Sequence, residues 1–269
     1  MTAEVVILNR NGVGIAADSV ATSIGVDPRA SQPRTFLKTH HTQNKLFALS
    51  AVEAVAFMVY GNCDFGQFPW ETIIKEYRHS QKTKLIHSTI DHCGRSFITF
   101  LSNIAPKVSI GEQENTILRA ARWELMRLRG GVEESQSDAT SKGRQLSQGD
   151  IQGIVLSLLA MRQRSLAKSA SLDVTVSEAK EEVDQMQKHG LLSRMLDEIL
   201  PGCPKSDDIM AAVADTLRIS IRKVTDSPYI SGLVITGFGR NQLLPALSHY
   251  WILGVVGGKL RYARIDSHR

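Results

Sequence analysis

Two short apolar runs open the chain and predict a β-hairpin. They cover residues 3–9 and 12–18, and Asn11-Gly12 stands between them. This dipeptide between two apolar runs is a strong signal for a two-residue hairpin turn. The following stretch, 19–43, is polar and contains two prolines, so it predicts a loop.

A second pair of strands is predicted from the apolar runs at Leu46–Ser50 and Val52–Tyr60. Gly61-Asn62 ends this pair. Pro69 then predicts a helix that begins at Trp70, because proline fits the start of a helix. Its apolar side chains, Ile73, Ile74 and Tyr77, fall on one face at helical spacing.

The hydrophobic period becomes helical between about residues 87 and 223. A stretch rich in Ser, Gln, Gly and charge at 133–149 predicts a flexible loop inside this block, and Pro201-Gly202-Cys203-Pro204 predicts a break. The helices are expected at 88–104, 112–128, 148–168, 176–199 and 206–223.

Strand patterns return at 230–238, 247–256 and 259–265, with Gly257-Gly258 as a tight turn. Strands at both ends and helices between them predict an α+β layered protein. We expect three segments: 2–80 and 227–269 as strand-rich parts of one sandwich, and 81–226 as a helical block.

Composition restricts the function. The chain has 269 residues, is 42% apolar and carries a net charge of +5. The charges alternate in sign instead of clustering, which argues against a nucleic-acid surface. The stretch that shows this best contains Glu112, Glu114, Arg119, Arg122, Glu124, Arg127 and Arg129.

Cysteine spacing and hydropathy point to a soluble protein of a reducing compartment. Cys63, Cys93 and Cys203 are far apart and form no CxxC motif, so neither a disulfide scaffold nor a zinc site is expected. His40-His41 and the pair His87 and His92 lack a fitting third ligand. No apolar run approaches the ~20 residues of a membrane span, and no signal peptide is visible. We therefore expect a cytoplasmic location, with no metal and no membrane partner.

Thr2 follows the initiator methionine directly and is the first candidate for chemistry. Methionine is removed when the next side chain is small, so Thr2 can become the N-terminal residue. Such a threonine carries a nucleophilic hydroxyl and a base, its own α-amine, whose ordinary pKa is about 8.

The segment Gly14-Ile15-Ala16-Ala17-Asp18-Ser19-Val20-Ala21-Thr22 resembles the signature of proteasome-type β subunits, which belong to the N-terminal nucleophile (Ntn) hydrolases. In that family an Asp lies sixteen residues after the mature threonine, as Asp18 does after Thr2. Asn44-Lys45-Leu46-Phe47 is similar to the next strand, and Tyr60-Gly61-Asn62-Cys63-Asp64 to the turn before the first helix. Ser227–Gly239 is similar to the family's central strand.

The resemblance implies a four-layer αββα sandwich with a large helical insertion, and a set of site residues. Thr2 would be the nucleophile, Lys45 the cation beside it and Asp18 the partner of Lys45. The backbone N–H of Gly61 would form the oxyanion hole, with Tyr60 as the alternative. Ser19 and Thr22 would bind substrate, and Asp64 would face a neighbouring cleft or cap the next helix.

This sequence departs from the family in three respects. The loop after Asp18 is longer, so Arg34 and Lys38 compete with Lys45 for the role of the cation. The helical block is larger than the family's helix pair. The final helices and strands of the family are missing, so we expect a sandwich that is C-terminally incomplete or is completed by a partner or by the helical block.

We therefore expect a proteasome-like threonine peptidase or amidohydrolase that acts on peptides or proteins without a cofactor. The resemblance also implies a ring-like homo-oligomer, with an unfoldase as an additional partner. Three alternatives remain open: a catalytically inactive scaffold of the same fold, a non-peptidase amidase or acylase of the superfamily, and a helical adaptor whose strand similarity is accidental.

Overall fold

The computed structural model describes residues 3–18, 21–27, 34–40, 44–49, 54–62, 64–81 and 87–265, and for 21–27 and 34–40 it describes the backbone. The protein is mixed α+β. In the described residues the strands are β1 (Glu4–Asn9), β2 (Gly12–Ala17), β3 (Ala21–Asp27), β4 (Arg34–His40), β5 (Leu46–Ala48), β6 (Val55–Gly61), β7 (Asp64–Phe65), β8 (Phe68–Pro69), β9 (Ser231–Gly237), β10 (Ala246–Val256) and β11 (Lys259–Ile265). The α-helices are α1 (Trp70–Ser80), α2 (Ile90–Ile104), α3 (Ile110–Ser141), α4 (Gln148–Lys168), α5 (Val176–Lys188), α6 (Leu191–Ile199) and α7 (Asp207–Ile221).

The chain forms two compact units. The first, which we call the β unit, contains residues 1–104, 228–253 and 264–269; the second, the helical unit, contains 105–227 and 254–263. This division assigns α2 to the β unit, whereas the sequence-based division began the helical block at residue 81.

A five-stranded sheet has the order β11-β10-β9-β6-β5. Strands β5, β6, β9 and most of β10 belong to the β unit, whereas most of β11 belongs to the helical unit. The pairs β5–β6, β6–β9 and β9–β10 are antiparallel. The Phe57 ring of β6 contacts Tyr77 of α1 and Phe97 of α2, and all three side chains are fully buried. Strand β2 contacts β5 and β9, which flank β6, so the N-terminal hairpin crosses the sheet at this point.

The predicted hairpin at the start of the chain is confirmed. Strands β1 and β2 pair antiparallel, from Glu4 opposite Ala17 to Asn9 opposite Gly12. The side-chain oxygen of Asn9 accepts the N–H of Asn11 (2.8 Å) and of Gly12 (2.9 Å), which fixes the turn. The hairpin therefore begins two residues after Thr2 and ends next to Asp18.

The predicted loop at 19–43 is wrong over much of its length, because β3 and β4 form a second antiparallel hairpin there. Polar β-branched residues such as Thr22, Thr35 and Thr39 are compatible with strands, although they give no hydrophobic alternation. Pro28 and Pro33 fall between the bounds of the two strands in sequence and lie outside the described residues.

Two helix boundaries also differ from the prediction. Helix α3 continues to Ser141, through much of the predicted loop at 133–149. The residues of these last turns are polar and mostly exposed, and they include no proline that would end the helix. The predicted helix at 176–199 is divided into α5 and α6 at Gly190, whose φ of +66° ends α5 in a left-handed conformation.

The helical unit has its own core, built from apolar side chains of α3–α7. A buried ion pair crosses this core: Arg162 of α4 donates two hydrogen bonds to Glu124 of α3 (2.7 and 2.8 Å). Ser220 of α7 donates a third (2.9 Å) to the same carboxylate, which is 6% exposed. Every oxygen of Glu124 is thus satisfied, as a buried carboxylate requires.

A candidate ionic site on the N-terminal hairpin

Lys45 joins the N-terminal hairpin to the start of β5. Its ammonium forms an ion pair with Asp18, at the end of β2, and lies 3.4 Å from Oε1 of Glu4 in β1. The Lys45 side chain is 8% exposed, Glu4 11% and Asp18 31%. Residues distant in sequence therefore form a cluster of one nearly buried cation, one nearly buried carboxylate and one partly exposed carboxylate, which we call the Lys45 cluster.

The pKa of Asp18 is held below its usual value. The main cause is the hydrogen bond that Lys45 donates to its carboxylate; attraction to the same ammonium and a hydrogen bond from the backbone of Ala3 add to it. Partial desolvation acts in the opposite direction and is the second-largest influence, smaller than the hydrogen bond from Lys45. Asp18 therefore remains a carboxylate near neutral pH and holds the ammonium of Lys45 in place.

Glu4 is the member of the Lys45 cluster that the sequence analysis missed. Alternate residues of a strand face the same way, so Glu4 shares its face with Val6 and Leu8. All three are half-buried, whereas Val5 and Ile7 on the other face are 50% and 63% exposed. A carboxylate at an inward position of an apolar strand was the available signal, because such a group needs a charged partner.

Gly61 occupies the last position of β6 with a φ of +79°. A Cβ at this position would overlap the carbonyl oxygen of Ile230, so the site requires glycine. The N–H of Val59 donates to the carbonyl of Lys45 (2.9 Å). Because alternate N–H groups of a strand point the same way, the N–H of Gly61 is directed to the same side of β6, where Lys45 lies.

The hydrogen-bond pattern favours Gly61 over Tyr60 as the donor to an oxyanion. Residues 54 and 62 each form a hydrogen bond with β9 or its extension, Phe238 N to Ala54 O (2.9 Å) and Asn62 N to Ile230 O (3.1 Å). With the period of two in an antiparallel ladder, Tyr60 and Gly232 form another hydrogen-bonded pair. The N–H of Tyr60 is therefore used inside the sheet.

Trp70 fixes the chain immediately after Gly61. Its indole N–H donates to the carbonyl of Asn62 (3.2 Å) and to the hydroxyl of Ser231 (3.1 Å), and Ser231 donates to the same carbonyl (3.0 Å). A recess of about 20 Å³ lies here between Lys45, Gly61 and Trp70. This volume is enough for about one water-sized group.

A second polar group adjoins the cluster. Tyr60 Oη lies 2.7 Å from Nε2 of His249 and accepts a hydrogen bond from the indole of Trp251 (3.3 Å). Burial raises the pKa of Tyr60, and the charge of Glu4 raises it further; burial also lowers the pKa of His249. Both rings are therefore neutral near neutral pH and leave the charge of the Lys45 cluster unchanged.

Several predicted residues cannot be placed in this geometry. Thr2 and Ser19 lie outside the described residues. Thr22 lies in β3, and the competing cations Arg34 and Lys38 lie in β4, where the backbone alone is described. The cluster therefore contains Asp18 and Lys45 of the predicted set, with Gly61 beside the same recess, and adds Glu4.

The N-cap position of the first helix is Pro69, not Asp64. Asp64 lies in β7, opposite Pro69 of β8, and α1 begins after Pro69 without a side-chain cap. The His87 ring stacks on Tyr77 and meets the His92 ring edge to face, and both histidines form hydrogen bonds within the β unit. Among the residues that the structure describes, no group of three His, Cys, Asp or Glu side chains could hold a metal ion.

Comparisons with known proteins assign the chain to no family. No family model, no curated protein and no solved structure matches the chain. Within the described ranges, none of the helices combines the length and the apolar character needed to cross a membrane.

Proposed function

We propose that the protein is a proteasome-like threonine peptidase or amidohydrolase of the Ntn type, with Thr2 as its nucleophile after removal of Met1. The observation that carries the proposal is the Lys45 cluster: a nearly buried ammonium held by two carboxylates, one of them two residues after Thr2. Thr2 stands two residues before Glu4 in the sequence, and consecutive Cα atoms are about 3.8 Å apart, so the proposal requires the α-amine of Thr2 to reach the ammonium of Lys45.

The proposed reaction starts with attack of Thr2 Oγ on the carbonyl carbon of an amide. The hydroxyl proton passes to the α-amine, and the tetrahedral intermediate places negative charge on the former carbonyl oxygen. The C–N bond then breaks, and the leaving amine takes the proton from the α-ammonium. Water hydrolyses the acyl ester on Thr2, which restores the hydroxyl and releases the acid.

Each residue of the cluster has a role in this scheme. The ammonium of Lys45 stabilises the developing negative charge on Thr2 Oγ, and Asp18 and Glu4 orient that ammonium. The N–H of Gly61 donates to the oxyanion, and the contacts of Trp70 hold the strand end in place. Such a donor contributes roughly 3–4 kcal/mol to the stabilisation of a transition state.

The fold of the β unit is compatible with part of the proposed αββα sandwich. Helices α1 and α2, the sheet strands of this unit and the hairpin β1–β2 supply a helix layer and two strand layers. Val5 and Ile7 on the outer face of the hairpin are exposed. We propose that a further subunit of a cytoplasmic homo-oligomeric ring covers this face. The same contact would be formed by a catalytically inactive scaffold, so it does not distinguish the two.

Intact mass spectrometry of the native protein, before and after an epoxyketone, tests the proposal. Epoxyketones react with both the hydroxyl and the amine of an N-terminal threonine. We expect loss of Met1 and an adduct on the N-terminal peptide. Thr2→Ala should abolish the adduct, whereas Thr99→Ala, on an exposed helix position, should retain it. Lys45→Met should slow labelling by about 10²–10³-fold.

The possible outcomes separate the alternatives. Retained Met1, or a folded protein that never forms the adduct, excludes the threonine nucleophile and supports a scaffold. An adduct without peptide turnover, but with hydrolysis of small acyl amides, supports the amidase or acylase. If Lys38→Met slows labelling and Lys45→Met leaves it normal, the cation beside the nucleophile is Lys38 and not Lys45.

A further inference from the structure

The Lys45 cluster contains more negative than positive charge. Lys45 supplies one positive charge, and Asp18 and Glu4 supply two negative charges, so these three groups sum to −1. A single carboxylate would be enough to neutralise the lysine. The second one therefore requires a physical reason, because desolvating an additional carboxylate costs free energy.

Glu4 is well placed to act on Lys45. Its carboxylate is 11% exposed and 3.4 Å from the ammonium, and its position in β1 is fixed by the pairing with Ala17. The ammonium of a lysine has three N–H donors in a tetrahedral arrangement. With Asp18 and Glu4 as two acceptors, the direction of the third donor is restricted.

We propose that Glu4 is a positioning residue that shares the ammonium of Lys45 with Asp18 and leaves a negative charge beside the N-terminal amine. This inference rests on the proposed function. The negative charge stabilises the protonated amine, so Glu4 sets the pH above which the free amine can accept the proton of Thr2. In this assignment the ammonium of Lys45 serves as the cation of the site, and the α-amine serves as the base.

The other described groups around Glu4 do not offset this charge near neutral pH. The charge of Glu4 adds to the burial that raises the pKa of Tyr60, so the Tyr60 hydroxyl stays neutral. His249, which contacts Tyr60, has a lowered pKa and is neutral as well. The indole of Trp251 carries no charge. Asp18 and Lys45 are therefore the charged groups against which Glu4 acts.

The matched variant is Glu4→Gln, which keeps the size of the side chain and removes its charge. The acid limb of the pH profile of kcat/KM should move to lower pH by roughly half a unit to one unit. The value of kcat should fall several-fold, because one of the two acceptors of the Lys45 ammonium loses its negative charge and holds the ammonium less tightly. Glu4→Asp should restore the acid limb, and Glu133→Gln, on the exposed face of α3, should behave as the wild type.

A second measurement does not depend on catalysis. The proton exchange of the Lys45 ammonium can be followed by ¹H–¹⁵N NMR, with Lys45→Arg identifying the signal. We expect exchange to become several-fold faster in Glu4→Gln and to stay unchanged in Glu133→Gln. Thermal unfolding of each variant shows whether it is folded under the conditions used.

These measurements separate this inference from the proposed function. A wild-type protein without an epoxyketone adduct contradicts the proposed function, while the ammonium exchange still decides whether Glu4 shares Lys45. An active wild type whose Glu4→Gln variant keeps both the acid limb and the ammonium exchange overturns the role of Glu4. A shift of both supports it.

Discussion

The two units of the molecule each bury an ionic cluster, and the clusters differ in their charge balance. In the helical unit, Glu124 and Arg162 neutralise each other through two parallel hydrogen bonds, and Ser220 completes the carboxylate. In the β unit, the ammonium of Lys45 is shared by Asp18 and Glu4. The first cluster is closed, since its charges and its acceptors are used up.

The difference indicates how each cluster is used. A balanced, fully hydrogen-bonded pair can orient three helices, but it has no charge left for another group. An unbalanced cluster keeps a donor and a net charge for a further partner, here proposed to be the N-terminal threonine. Perturbations should therefore affect stability in the helical unit and chemistry in the β unit.

Removing the cation of the closed cluster should have the largest effect on stability. Arg162→Leu leaves the buried carboxylate of Glu124 without its partner, and we expect a loss of about 3 kcal/mol in the free energy of unfolding. Urea denaturation measures this loss. The control Arg122→Leu removes the exposed pair with Glu198 and should change stability by less than about 1 kcal/mol.

The double variant Glu124→Leu/Arg162→Leu sharpens this test. It removes both charges and should recover much of the lost stability, because an apolar pair can replace a buried ion pair at little cost. Equal stability of Arg162→Leu and Arg122→Leu would contradict a structural role for the closed cluster. Epoxyketone labelling of the folded fraction should be normal in all these variants.

Gly61→Ala should have an intermediate effect, visible both in urea denaturation and in epoxyketone labelling. Its φ of +79° and the overlap of an added Cβ with the carbonyl of Ile230 cost about 1–3 kcal/mol. The shifted strand end also displaces the proposed oxyanion donor, so labelling should slow. Gly12→Ala is the control, because nothing lies within 4 Å of its added Cβ. Normal labelling in a folded Gly61→Ala protein would remove Gly61 from the site.

The smallest expected effect is the contribution of Asp18 to the pH dependence of stability. The pKa of Asp18 is lower in the folded state than its usual value, so the folded protein releases this proton more readily than the unfolded chain. The contribution of Asp18 to stability is therefore fully present above the usual pKa and is lost as the pH falls through the folded value. Urea midpoints measured from about pH 5 to pH 2 should fall less steeply in Asp18→Asn than in the wild type. Parallel curves would show that Lys45 does not stabilise the charged form of Asp18.

Strong local patterns made much of the fold predictable. Asn11-Gly12 located the first hairpin, Pro69 located the start of α1, and Gly257-Gly258, both with positive φ, located the last turn. Gly257-Gly258 meets a positive-φ requirement that few other residues can meet, and Pro69 fits the entry to a helix. Asn11-Gly12 marked the first turn, although neither residue has a positive φ and Gly12 already pairs with Asn9. The pairing of β6 with β9 has no such local signal, since the two strands are far apart in sequence and the helical segment stands between them.

The errors share a physical origin. The strands β3 and β4 and the last turns of α3 are polar, so hydrophobic periodicity carries little information there. In the candidate site, the ion pair of Asp18 and Lys45 agrees with the partners that the resemblance implied. Glu4 was missed because its role depends on which face of β1 is buried, a property of tertiary packing.

The order of strands in the central sheet also affects how the protein is made. Strand β6 pairs with β9 along its length, and residues 105–227 are synthesised between the two. At ribosomal speeds this interval is on the order of ten seconds. During that time β6 lacks the partner for one of its edges, and an unpaired strand edge readily joins other chains. The helical unit can complete most of its core first, so early chaperone binding to residues 55–61 would protect the nascent chain until β9 emerges.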